Sequence, residues 1–251
     1  MRVMPVLMAL LSLDGAAILA AVQTRHVELD HVFIVVQPGA EAEVEALRSA
    51  GFSVDTRRSK HDGQGTASVG VLFENAYLEL IWRDPSVSID PDHENTSQWF
   101  DDAAAWRTSG HSPFGLGLRR RPGDTTPLPV PVEREPAEWL EPGAAYELLR
   151  QPGDSLAADL FVVPPISALP SWIGRVREED PAILEHPGGG REITLVRLHG
   201  PPEQEPRAIV ALQPGRLEMV RGPEPLLELH LDAGRQERVD LRPILPLVVV
   251  R

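Results

Sequence analysis

An α+β protein of paired βαβββ units, curled into an open, cup-shaped mixed β-barrel, is the fold this sequence predicts. Three observations carry that expectation. Residues 28–82 pass through strand-like and helical patterns in the order strand, helix, strand, strand, strand. Residues 193–250 repeat the order loosely, as a degenerate second unit. The 25 Pro and 20 Gly among 251 residues call for many short elements with frequent turns rather than a helical bundle.

Leu29-Asp30-His31-Val32-Phe33-Ile34-Val35-Val36 is rich in β-branched and aromatic residues and stops at Pro38-Gly39. Ala40 to Ala50 follows, with Val44 and Leu47 three apart and Glu41, Glu43 and Glu45 on other faces. That is a short amphipathic helix with acids in its first turn, where the helix dipole favours them. Gly51 is its natural stop, and Phe52-Ser53-Val54 opens the next strand. Thr66 to Phe73 and Ala76 to Trp82, joined at Glu74-Asn75, read as a hairpin.

From Asp84 to Glu185 the pattern is less regular. A helix is expected over 95–107, with Asn95 or Thr96 as N-cap and Trp99, Phe100 and Trp106 as apolar anchors. Strands are expected at 114–119, 146–150 and 160–163, and a Pro-rich surface loop over 121–142. In the last part, a strand at 193–198 ends at Gly200-Pro201-Pro202, as the first ended at Pro38-Gly39. A short helix over 205–212 and strands at 217–220, 226–231 and 239–250 follow, the last broken by Pro243 and Pro246. The expected organisation is an apolar N-terminal segment (1–26), a first module (27–83), an insert (84–185) and a second, degenerate module (186–251).

A net charge of -13 argues against nucleic acid, which requires a concentrated basic face. Arg57-Arg58-Ser59-Lys60 and Arg119-Arg120-Arg121 are too short to supply one and read as solvated loops. The chain has no Cys, which excludes disulfides, zinc fingers and thiol catalysis, so any metal must be held by His and carboxylates. At the N-terminus, Arg2, an apolar run over 3–13 and Gly15-Ala16-Ala17 resemble a signal peptide, although Asp14 interrupts the apolar stretch. Export or membrane tethering is expected if residues 1–22 are such a signal, and a cytoplasmic protein otherwise. Gly188-Gly189-Gly190 lacks the Lys-Ser/Thr of a phosphate loop, and no Gly-x-Ser-x-Gly is present.

Four stretches taken in order are more specific: Leu29-Asp30-His31-Val32, Gly51-Phe52, His61-Asp62-Gly63-Gln64-Gly65-Thr66 and Tyr77-Leu78-Glu79-Leu80. With Ser112 to Arg119, His186 to Gly190 and Leu241 to Leu247, they resemble the vicinal oxygen chelate (VOC) superfamily, and within it the glyoxalase-like domain proteins. The resemblance spans most of residues 28–250. It implies the fold shared by glyoxalases, bleomycin-resistance proteins and extradiol-type dioxygenases, a cup whose floor holds a divalent metal. It carries the ligand positions over to His31 on the first strand and Glu79 on the fourth. His61 is implicated as a third ligand, as a general base or as a loop-stabilising residue. The implied cofactor is a divalent ion (Zn, Fe, Mn or Ni) with no organic cofactor. The implied partners are a small-molecule substrate and a second copy in a homodimer.

The residues themselves agree in part. Residues two apart on a strand share a face, so His31 lies with Phe33 and Val35, and Glu79 with Tyr77 and Ile81. A carboxylate in such apolar company needs a partner, which is either a ligand shared with His31 or an arginine such as Arg119. A shared metal requires the two side chains to lie within about 6 Å of each other. The second module departs from the pattern. Aligning strands through Pro38 and Pro201 sets Thr194 opposite His31, and the counterpart of Glu79 is either Glu228, by letter similarity, or Pro246, by strand count. Strand count keeps module order and leaves no matching ligand. His93, His111, His186 and His230 read as surface or loop residues, and Trp99, Trp106, Trp139 and Trp172 as core or pocket wall. Two functions follow: a metal-dependent lyase, isomerase or dioxygenase, or a metal-free protein that sequesters a small molecule. An interaction module with a closed cup is a third.

Overall fold

The computed structural model describes residues 26–90, 94–137 and 140–251, with the side chains of 94–97 excluded. The expected leader over 1–25, His93, Trp139 and the Asn95/Thr96 cap lie outside what is described. Among the described residues no helix is long and apolar enough to cross a membrane.

The first unit has the expected order: β1 (Val27–Val35), α1 (Glu41–Ser49), β2 (Asp55–His61), β3 (Thr66–Leu72) and β4 (Tyr77–Arg83). Gly51 follows the end of α1 at φ +84°, the left-handed conformation that stops a helix, and Phe52 N–H closes back on the Leu47 carbonyl. β3 and β4 form the hairpin, Leu72 opposite Tyr77. β1 is inserted beside β4 in parallel, with Phe33 opposite Glu79. On the other side of β1 runs β5 (Phe114–Arg120), antiparallel, with His31 opposite Gly117.

β5 begins a second copy of the pattern: β6 (Glu133–Glu135), β7 (Tyr146–Leu148) and β8 (Asp159–Val162). β8 lies parallel to β5 as β4 does to β1, giving one sheet of order β2-β3-β4-β1-β5-β8-β7-β6, a mirror sequence about the β1–β5 seam. This unit is degenerate. No helix joins β5 to β6; the Pro-rich stretch takes its place, burying Leu128 and packing Val130 on the core.

The strands beside β1 therefore come from 114–162, not from 193–250. The C-terminal strands β9 (Ile193–Gly200), β10 (Leu217–Arg221), β11 (Leu226–Leu231), β12 (Arg238–Asp240) and β13 (Leu247–Val250) make their own sheet, β10-β9-β11-β13-β12. The reason is steric. A Cβ at Gly115 or Gly117 would come within 2.0 Å or 2.1 Å of the Phe33 or His31 ring, so only a strand with glycine at both places fits this seam. Ile193 to Gly200 has no such pair.

Helices α2 (Glu94–Ala104), α3 (Trp106–Ser109), α4 (Ile173–Glu179) and α5 (Ile209–Leu212) complete the fold, so the helix expected over 95–107 is broken at Ala105. One face of the large sheet, through Val32, Ile34, Leu78 and Leu116, shares a core with Val44 and Leu47 of α1 and with Val196 and Leu229 of the second sheet. The opposite face is concave and carries the site. Leu29 and Val32 bury into the same core although they are three apart, because Asp30 is an extra residue in β1: Leu29 pairs with Leu118 and His31 with Gly117. This bulge shifts the alternation by one, which turns His31, Phe33 and Val35 to the concave side.

His186 ties the C-terminal part to the first unit. Its Nε2 donates to the Leu72 carbonyl (3.1 Å), and its Nδ1 accepts the Ser53 N–H (3.2 Å), an arrangement open only to the neutral ring. Burial depresses its pKa below the usual 6.5, and burial does the same for His61. Both imidazoles take up a proton more readily unfolded than folded, so their stabilisation is complete above the unfolded pKa and is lost as pH falls below it. The melting temperature should drop between about pH 7 and pH 5, less steeply in His186→Gln, as calorimetry would show; a flat profile would contradict the assignment.

Candidate active site

The concave face holds a cavity of about 760 Å³, counting the open space at its mouth, lined from the first unit by His31, Phe33, His61, Tyr77, Glu79 and Ile81. From β6 to β8 and the segments around them come Glu135, Tyr146, Leu148, Arg150, Asp159 and Phe161, and Phe100 of α2 closes one side. All three residues singled out in the sequence, His31, Glu79 and His61, line this one cavity.

His31 is 4% exposed. Its ring lies over the backbone of Gly117, stacks on Tyr77 with centroids 4.5 Å apart, and meets Phe161 at 5.6 Å. The bulge brings the neighbouring Asp30 to the same side, so that Asp30 Oδ1 lies 3.1 Å from His31 Nδ1. Asp30 is fully buried; its Oδ2 accepts from Arg119 Nη1 (3.2 Å) and from the Leu169 N–H (2.9 Å). An ionised Asp30 can only accept, so His31 Nδ1 carries the proton and Nε2 holds the lone pair. Nε2 faces Glu79 Oε2 at 3.9 Å, within the separation required for a shared ligand. Arg119 does not reach Glu79: it is spent on Asp30, on Glu28 (2.8 Å) and on the Asn75 carbonyl. Among the described residues Glu79 has no Arg or Lys partner.

His61 is placed by Thr66. The Thr66 hydroxyl donates to Gln64 Oε1 (2.7 Å), so its oxygen receives His61 Nδ1–H (2.9 Å) and the lone pair sits on Nε2. Burial lowers the His61 pKa, partly offset by the charge of Glu79, and keeps the ring neutral near pH 7. Burial, with the charges of Glu79 and Asp30 adding to it, pushes the Tyr77 phenol well above 10, so it stays protonated.

A divalent ion is a poor match for this donor set. Among the described residues no three His, Asp or Glu converge as a metal-holding group, His61 included. Two donors about 2.1 Å from one ion sit about 3.0–4.2 Å apart, so at 3.9 Å His31 and Glu79 could both reach an ion, but they supply only two ligands. The mirror unit does not repeat the pair: where β1 and β4 set Phe33 opposite Glu79, β5 and β8 set Gly117 opposite Phe161. Glu228, the letter-match candidate, lies in the second sheet, bound to Arg238 (2.7 Å) and Arg197 (3.1 Å), which hold its pKa down at about 2 against the opposing cost of burial. Thr194 and Pro246 belong to that second sheet region as well.

Sequence reasoning missed Asp30 as the partner of His31, and Asp159, Arg150 and Tyr146 as lining. The Gly115-x-Gly117 pair inside a strand was the available signal, because glycine there marks a close approach.

Residues 29–121 match the family described as "Glyoxalase-like domain", a stretch that contains β1 to β5 and with them His31, His61 and Glu79. The resemblance to the VOC superfamily is thus shown for this part of the chain. A crystal structure of a hypothetical protein from Staphylococcus aureus has the same fold, with TM-score 0.50 and 8% identity over 89% of this chain and 98% of that one. No curated protein matches the sequence.

Proposed function

We propose that this protein is an enzyme of the lyase or isomerase type, which binds a small organic molecule in the cup and moves a proton on it with His31 as base. The observation that carries this reading is the pair of facing acceptors, His31 Nε2 and Glu79 Oε2, 3.9 Å apart in a cavity with Asp30 behind the ring. Asp30 selects the tautomer of the neutral ring whose lone pair faces the cavity. A C–H next to a carbonyl gives its proton to Nε2, and the electron pair moves to the carbonyl oxygen as an enolate. The imidazolium formed lies between two carboxylates, Asp30 and Glu79, which favour the charged ring. The Tyr77 phenol, kept protonated, is a donor for the enolate oxygen. Where the deprotonated carbon bears a hydroxyl, passage of the hydroxyl proton to the enolate oxygen and return of the abstracted proton to the former carbonyl carbon give an isomer; where the carbon beyond it carries a leaving group, expulsion of that group as the carbonyl re-forms gives a lyase reaction. His61, neutral at the rim, is suited to passing the proton onward.

The test needs no known substrate. Small α-hydroxyketones, with and without an ammonium group, incubated with the protein in D2O should exchange their α-hydrogens, as NMR would record, and His31→Gln should lose about 10²–10⁴-fold of that rate. Equal exchange by wild type and His31→Gln, or none across the panel, removes the catalytic reading in favour of a binding protein. Exchange that survives prolonged chelation agrees with a donor set not built for a metal.

A further inference from the structure

We propose that the molecule this cup accepts is a small organic cation, an ammonium-bearing compound with an apolar or aromatic body. The inference rests on reading the cup as the reaction site and names its substrate class. Among the described residues three carboxylates, Glu79, Glu135 and Asp159, line the cavity against one guanidinium, Arg150, an excess of two acids before the imidazoles are counted. The guanidinium is already committed, because Arg150 Nε lies 3.1 Å from Asp159 Oδ1. An anionic substrate would have to break that pair and then face Glu79, whose like charge repels it. A neutral substrate would leave Glu79, 13% exposed at its side chain and without a Lys or Arg partner, with no charge to answer it.

The walls point the same way. Tyr77 and Phe161 flank His31, and Tyr146 meets Phe161 edge-on at 5.7 Å, so aromatic rings border the carboxylates. Ring faces attract cations, most strongly where water is excluded. An ammonium donating to Glu79 would set the carbon beside it before His31 Nε2, 3.9 Å across the gap, and its positive charge would make that carbon's proton easier to remove. The whole chain, at -13, draws cations in the same sense.

Calorimetric titration of the full chain with benzylammonium, benzyl alcohol and benzoate tests this directly. The cation should bind about 10-fold or more tighter than the alcohol, and benzoate more weakly than either. Raising NaCl from about 20 to 500 mM should weaken the cation alone. Glu79→Gln should cost the cation about 5–20-fold and leave the alcohol unchanged, with a smaller loss in Glu135→Gln, which serves if the first variant folds poorly. Benzoate equal to or tighter than the cation, no preference between cation and alcohol, or no cation binding up to about 10 mM overturns the proposal. Cation preference without deuterium exchange removes the proton-transfer reading and leaves this one standing; exchange without cation preference does the reverse.

Discussion

Arg119→Met is expected to cost about 3–5 kcal/mol of folding stability, the largest single effect foreseen in this chain, because it strips the cation from a fully buried carboxylate. Arg119 is itself 8% exposed and carries several burdens at once: the second oxygen of Asp30, the carboxylate of Glu28 and the carbonyl of Asn75 in the β3–β4 hairpin. With it gone, Asp30 retains the Leu169 N–H and His31 but no full positive charge. Urea unfolding at neutral pH measures the loss. In the double variant Asp30→Asn with Arg119→Met the buried charge is gone too, so it should be more stable than Arg119→Met alone. A loss under about 1 kcal/mol in the single variant would show that the pair is not what holds Asp30 in place.

Gly117→Ala is the second large effect. The new Cβ would lie 2.1–2.5 Å from three atoms of the His31 ring, against backbone on one side and the Tyr77 stack on the other. The ring must leave its place, at a cost of about 1–3 kcal/mol in stability. It leaves its aim at Glu79 too, and a misplacement of about 1 Å can cost about 10²-fold in rate, so deuterium exchange should fall by at least that much. Gly115→Ala is the control: it strikes Phe33 instead, with a similar stability loss but exchange within several-fold of wild type. If both variants exchange alike, the seam glycines serve packing only and do not position the base.

The first unit was legible because its signals are local. β-branched runs, the helix stop at Gly51 and the Glu74-Asn75 turn each act within a few residues and reappear at the expected places, whereas β2 runs over 55–61, where Arg57 to Lys60 had read as a solvated loop, rather than opening at 52–54. The facing of His31 and Glu79 followed from the family resemblance, and the alternation along β1 beyond the bulge and along β4 agrees with it. What the letters concealed is long-range. The neighbour of β1 is decided by the missing side chains at Gly115 and Gly117, a steric fact that no periodicity in 114–120 reveals. The short β6 and β7, three residues each, are set by pairing with β8 rather than by their own composition, so a Pro-rich stretch reads as loop. Asp30 escaped for a related reason. Adjacent residues on a strand point apart, and its hydrogen bond to His31 is understandable only once the extra residue in β1 is seen.

That extra residue means β1 has no inside or outside of its own. Val27 and Leu29 are interior by odd number, Val32 and Ile34 by even number, and the two conventions meet at Asp30. A substitution at Asp30 alters one carboxylate. Its deletion would leave Leu29 and Val32 two apart, in the regular alternation that keeps both in the core and His31 toward the cup, but would take away the group behind the ring. The extra residue therefore supplies what an unbroken strand could not, a buried acid and an imidazole placed side by side.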